Sequence, residues 1–134
     1  MRVQHVFFWV PLCFYFLTVG AVEAQGLSPM KKTGNTASDM KVFRLLIINP
    51  YKKEMKYELG AEDKQTHEFL SDIKFSGRKG YVSANSKKQI LVFIPIHTSK
   101  RSVRVCVRFP EIEESIRPRV CADFHVVSYR GYSS

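Results

Sequence analysis

The sequence predicts an all-β protein: one sandwich or barrel of short strands. Three observations lead there. Residues 42–49 (VFRLLIIN) and 89–94 (QILVFI) are almost continuously apolar, the pattern of strands covered on both faces. Residues 54–59 alternate, with Met55, Tyr57 and Leu59 on one side and Glu54, Lys56 and Glu58 on the other, as in a half-exposed strand. Turn residues recur every ~8–14 positions, with little helical periodicity and no heptads. A length of 134 residues suits one domain, and 45% hydrophobic with 25% charged residues suits a packed chain.

The chain opens with a different kind of segment. Arg2 and His5 precede an apolar run over 6–19, interrupted by Pro11, and Val22 and Ala24 occupy the small-residue positions of a cleavage site. This is the layout of a secretory signal peptide over residues 1–24. An uncleaved anchor is the competing reading, for which the run is short against the ~20 residues of a membrane span. Removal would take Arg2 and Glu23 together and leave the net charge of +9 unchanged. It would also take Cys13 and Trp9, leaving Cys106 and Cys121 as an even pair. The expected address is secreted, extracellular.

Residues 25–39 (QGLSPMKKTGNTASD) carry few large apolar side chains and read as a flexible leader. The folded domain is expected over 40–130 and a short tail over 131–134. Asn49-Pro50 closes the first strand, and Gly60 is read as the stop of the second. Residues 61–68 fit either a helical turn or a loop. Residues 69–75 form a poor strand, 76–80 turn into a short strand at 81–83, and Pro95 ends the run at 89–94 because it cannot donate to a ladder. The last two of about seven strands are 102–109 and 119–129.

These two strands set their own register. If Cys106 faces Cys121 in an antiparallel pair, then Val103 faces Phe124, Val105 faces Ala122 and Val107 faces Val120, all on one side. Ser102–His125, Arg104–Asp123 and Arg108–Arg119 then share the other side with the cysteines. A slip by one residue would set valine against cysteine and arginine. In an oxidising compartment the lone pair Cys106 and Cys121 is most simply a disulfide, and closing its ~15-residue loop stabilises by about 3 kcal/mol.

Two apolar strands, an alternating strand between them and a C-terminal hairpin resemble an immunoglobulin-like sandwich, in the broad sense that includes fibronectin type III modules. Residues 45–50 (LLIINP) followed by 56–59 (KYEL) look like the second and third strands of such modules. The resemblance implies a single antiparallel sandwich over 40–130. It carries no ligand, and the chain departs from true immunoglobulin domains in lacking a core Trp and in placing its cysteines within one sheet.

A search for chemistry yields no catalytic set, cofactor loop or metal set. His67, His97 and His125 do not fall at metal-ligand spacing, and no G-x-S-x-G elbow occurs. The chain reads as a binding protein, not an enzyme. Its basic excess is the main functional hint. In the register above Arg104, Arg108 and Arg119 emerge together, with Arg101 and Arg117 near the ends of that face. Such a patch suits an acidic protein surface, sulfated glycans or anionic lipid headgroups. An exported chain without a base-stacking platform is a poor nucleic-acid binder. The first expectation is an extracellular protein or receptor as partner; the second is a polyanion or anionic membrane surface, including host defence; the third is a lipid or small-ligand carrier.

Overall fold

The computed structural model describes residues 26–110 and 119–129. The signal segment 1–24, the acidic loop with Arg117, and the tail 131–134 lie outside the described residues.

Among the described residues nine strands form two sheets: β1 (Gly26–Ser28), β2 (Lys31–Thr36), β3 (Met40–Asn49), β4 (Met55–Asp63), β5 (Lys74–Phe75), β6 (Lys79–Val82), β7 (Ser86–Pro95), β8 (Lys100–Arg108) and β9 (Arg119–Ser128). One sheet has the order β1-β3-β7-β5 and the other β2-β9-β8-β4-β6. The seven strands β3 to β9 correspond one to one with those expected from the sequence. The two sheets close on a core of alternating inward residues. Phe43, Leu45 and Ile47 of β3 and Ile90, Val92 and Ile94 of β7 meet Tyr57 and Leu59 of β4, Val103, Val105 and Val107 of β8, and Phe124 of β9. The Phe43 and Phe124 rings lie 4.8 Å apart across the gap. Tyr57 is fully buried and donates its hydroxyl to the Gly77 carbonyl at 2.9 Å, so its polar end is satisfied.

Three expectations need correction. Of the flexible leader expected over 25–39, the described residues 26–39 are instead two strands and a turn. β1 pairs antiparallel with β3, and β2 pairs parallel with β9, so the segment crosses from one sheet to the other at the cis peptide Ser28-Pro29. Only Leu27 and Thr36 in it are buried. Its order comes from backbone ladders, which a polar edge strand forms without an apolar signature. For the same reason the sandwich is not wholly antiparallel. The second correction is Gly60, which does not stop β4. Ala61 continues the buried alternation of Met55, Tyr57 and Leu59, and the strand runs on to Asp63. Residues 61–68 are therefore strand and then turn. Asp63 Oδ1 accepts from the amides of Gln65 (2.9 Å) and Thr66 (3.0 Å), turning the chain so that Phe69 bridges back to Glu62.

The third correction concerns the two apolar runs. Neither is covered on both faces: in β3 and β7 the inward residues are buried, while Leu46, Ile48, Leu91 and Phe93 are half-buried and Val42 is 43% exposed. Leu, Ile, Val and Phe serve here as cross-strand neighbours on an outer face, where β-branched and aromatic side chains cover one another.

Candidate functional site

The hairpin β8–β9 has the register that its side chains dictate. Cys106 faces Cys121 and is joined to it by a disulfide, Val103 faces Phe124, and Arg104 faces Asp123. Val103, Val105 and Val107 point into the core, and Ser102, Arg104, Cys106 and Arg108 point out. Ser102 and His125 share a hydrogen bond of 2.7 Å on the outer side.

The basic residues on this face are mostly neutralised. Arg104 makes a two-point contact with Asp123, at 2.8 and 3.3 Å, and Lys64 lies 3.7 Å from the same carboxylate. Arg104 holds the Asp123 carboxyl below its ordinary range, and Asp123 in turn raises Arg104. Arg119 binds Glu62 at 2.8 Å and lowers its carboxyl in the same way, with His67 adding to the effect. Among the described residues Arg108 has no carboxylate partner and is exposed. Arg101 does not belong to this face. It sits opposite Val126 on the inward side of β8, reaches the end of the sandwich, and there forks onto Asp72 (2.7 and 2.9 Å) while donating to the Pro95 carbonyl (2.7 Å). That pairing depresses the Asp72 carboxyl. The structure thus brings Arg104, Arg108 and Arg119 onto one face and separates Arg101 from them.

What the face does offer is a groove. Gly60 of β4 stands directly opposite Cys106 of β8. An atom placed at its missing Cβ would meet nothing within 4 Å. The absent side chain opens a trough of about 430 Å³ whose floor is Gly60 and Cys106. On one side rises Phe69, 65% exposed, with the Arg78 guanidinium 5.7 Å from its ring. Arg78 is held in place by donating Nε to the Leu59 carbonyl at 3.2 Å, while its own carbonyl accepts from the Leu59 amide. On the other side stand Arg108 and Arg119, and Glu58 and Glu62 contribute acceptors along the β4 edge. The trough therefore pairs an apolar wall with guanidinium donors and carboxylates. It has the surface chemistry to take an extended polypeptide segment or a bulky side chain.

The sequence signal for this groove was present in part. A glycine inside a continuing in–out alternation marks a close approach or an opened position rather than a stop. Phe69 and Arg78 carried no such mark, because their faces depend on the 63–68 turn and the 76–80 turn. Among the described residues no group of His, Cys, Asp and Glu is placed to hold a metal ion.

The two-sheet arrangement, the N-terminal segment that passes from one sheet to the other and the seven-strand body define an immunoglobulin-like β-sandwich. No family model and no curated protein matches the chain. Solved structures do. A chain of the complex of Salmonella enterica SafA pilin with the SafB chaperone superposes with a TM-score of 0.63 at 12% identity, over 80% of this chain and 55% of that one. The E. coli chaperone DraB gives 0.60 at 12% identity, over 79% and 56%. SSP-19, an MSP-domain protein-like family member of Caenorhabditis elegans, gives 0.56 at 9% identity, over 76% and 98%. The chain spans little more than half of the chaperone chains and nearly all of SSP-19. At these identities the likeness establishes the fold.

Proposed function

We propose that this protein is an exported recognition module, without enzymatic activity, that binds a protein partner through the outer face of its five-stranded sheet. The observation that carries the reading is the Gly60 trough. A central position on the face is emptied of its side chain, beside a two-thirds exposed Phe69 with the Arg78 guanidinium over its ring and an exposed Arg108. Exposed aromatic and arginine side chains around a concavity are what anchor protein–protein contacts. The fold is compatible with the role: structures that share it include a pilin–chaperone complex. The layout of residues 1–24 supports export.

Affinity capture from the fluid bathing the secreting cells tests this. Wild type, Gly60→Val and Phe69→Ser are used as baits, with bound proteins quantified by mass spectrometry. A partner retained by wild type and lost from both variants supports the groove. Partners bound equally by all three baits would remove it. The sulfated-glycan reading predicts that neutralising Arg104, Arg108 and Arg119 abolishes heparin retention. The ion pairs of Arg104 and Arg119 argue for a small effect instead.

A further inference from the structure

Four lysines, Lys52, Lys53, Lys56 and Lys87, gather at one end of the sandwich. Asn49, at the end of β3 and 1% exposed, organises that end. Its side-chain amide donates to the carbonyls of Lys53 (2.9 Å), Val82 (3.0 Å) and Ser83 (3.1 Å), and its Oδ1 accepts from the Tyr51 amide (3.0 Å). The Tyr51 carbonyl in turn accepts from the Asn85 amide at 2.8 Å. Asn85 holds a left-handed φ of 51°, which asparagine tolerates. One buried side chain and one backbone bond therefore fasten the 50–54 turn to the 83–85 turn.

This fastening fixes what projects. Lys52 and Lys53 are exposed on the first turn. Lys87 follows the second turn, across from Ile48 on the outer side of the four-stranded sheet, and Lys56 stands beside Tyr81 on the outer side of the other. The four lysines surround the tip from both faces. Tyr51 and Tyr81 stand among them, 48% and 52% exposed. Lys64, Lys79, Arg101, Arg104 and Arg119 are all paired with carboxylates elsewhere in the molecule. Among the described residues no such pair involves Lys52, Lys53, Lys56 or Lys87. Glu54 and Glu58 flank Lys56 along the chain, and Glu58 is held by Lys79 at 3.5 Å.

We propose that this end is a second binding site, independent of the Gly60 groove, that docks the sandwich end-on against an anionic phospholipid surface. Two features favour a bilayer over a sulfated chain. The charges lie on a turn and on the outer sides of both sheets, spread in two dimensions across the tip instead of lined up along one strand as a linear polymer would need. All four cations are lysines, mobile point charges suited to a diffuse negative field, whereas fixed sulfates are matched by the arginine fork. Tyrosine, with an apolar ring and a polar tip, is the side chain that settles at the headgroup level.

The test is flotation of the purified full chain with vesicles of phosphatidylcholine containing 30% phosphatidylserine, against vesicles of phosphatidylcholine alone. The ratio between the two is read, so that any insertion by the apolar run at 6–19 cancels. Each lysine near the surface contributes about fivefold. Lys52→Gln, Lys53→Gln, Lys56→Gln and Lys87→Gln combined are expected to lower the ratio more than ~100-fold. Lys31→Gln, Lys32→Gln, Lys74→Gln and Lys100→Gln, an equal charge change placed elsewhere, are expected to lower it less than about fivefold. Tyr51→Trp, made together with Trp9→Phe so that it is the sole tryptophan, supplies a second readout: its fluorescence shifts to the blue on anionic vesicles and not on neutral ones. Equal losses from the two quadruple variants would reduce the effect to net charge and overturn the site. So would an anionic-to-neutral ratio near one for wild type, or a heparin affinity that depends on these four lysines while vesicle binding does not.

Discussion

The C-terminal hairpin and the N-terminal edge segment show two ways in which a sequence specifies strands. In β8–β9 the side chains do the specifying. Valines alternate with arginines and a cysteine, and only one register sets apolar against apolar, Arg104 against Asp123 and sulfur against sulfur. In β1–β2 the backbone does it. Residues 26–36 carry little that is apolar, yet they complete an edge of each sheet through main-chain ladders to β3 and β9. Polar edge strands are legible only once the strand that they cover is known.

This contrast orders the expected effects of breaking each region. Phe124→Ala removes a fully buried ring that packs on Phe43 from the opposite sheet. The loss is expected to be about 3–5 kcal/mol, read as a lower urea midpoint with an unchanged slope. Opening the disulfide, by reduction or by Cys106→Ala with Cys121→Ala, is expected to cost about 3 kcal/mol from the ~15-residue loop it closes. In the edge segment the sensitive position is Gly34. A Cβ there would come within 2.8 Å of the Phe43 ring and of the Lys41 side chain. Gly34→Val is expected to cost about 1–3 kcal/mol by pushing β2 off β3. If Gly34→Val melts with the wild type, the segment is not packed as described.

A smaller and more diffuse effect comes from the ion pairs. The carboxyls of Asp72, Asp123 and Glu62 are depressed by Arg101, Arg104 and Arg119 respectively. A depressed carboxyl contributes stability above its unfolded pKa of about 4 and loses it as the pH falls through the folded value. Stability is therefore expected to be flat between about pH 7 and 5 and to decline below about 4.5. Asp72→Asn should flatten part of that decline. An unchanged acid limb in this variant would show the Arg101 fork to be energetically idle, as exposed pairs often are.

The same contrast explains what could be read in advance. The sandwich, its seven-strand body and the cysteine register follow from side-chain alternation, a local property. The strand crossing at Pro29, the continuation of β4 through Gly60 and the gathering of lysines around Asn49 depend on which loops meet in space. Arg101 is the exception, because strict alternation already puts it on the inward side with Val103, away from Arg104; as the last inward position before the edge of the core it reaches Asp72 and the Pro95 carbonyl. Arg104, Arg108 and Arg119 do share one face, but Asp123 and Glu62 hold two of these three arginines in ion pairs.

The recognition surface centres on the trough beside the disulfide. Gly60→Val fills it at a position where an added Cβ meets nothing within 4 Å, so stability should change by no more than about 0.5 kcal/mol. At that preserved stability, the partner captured by wild type is expected to be lost. Full retention of that partner by the folded Gly60→Val protein would contradict the assignment of this face as the recognition surface.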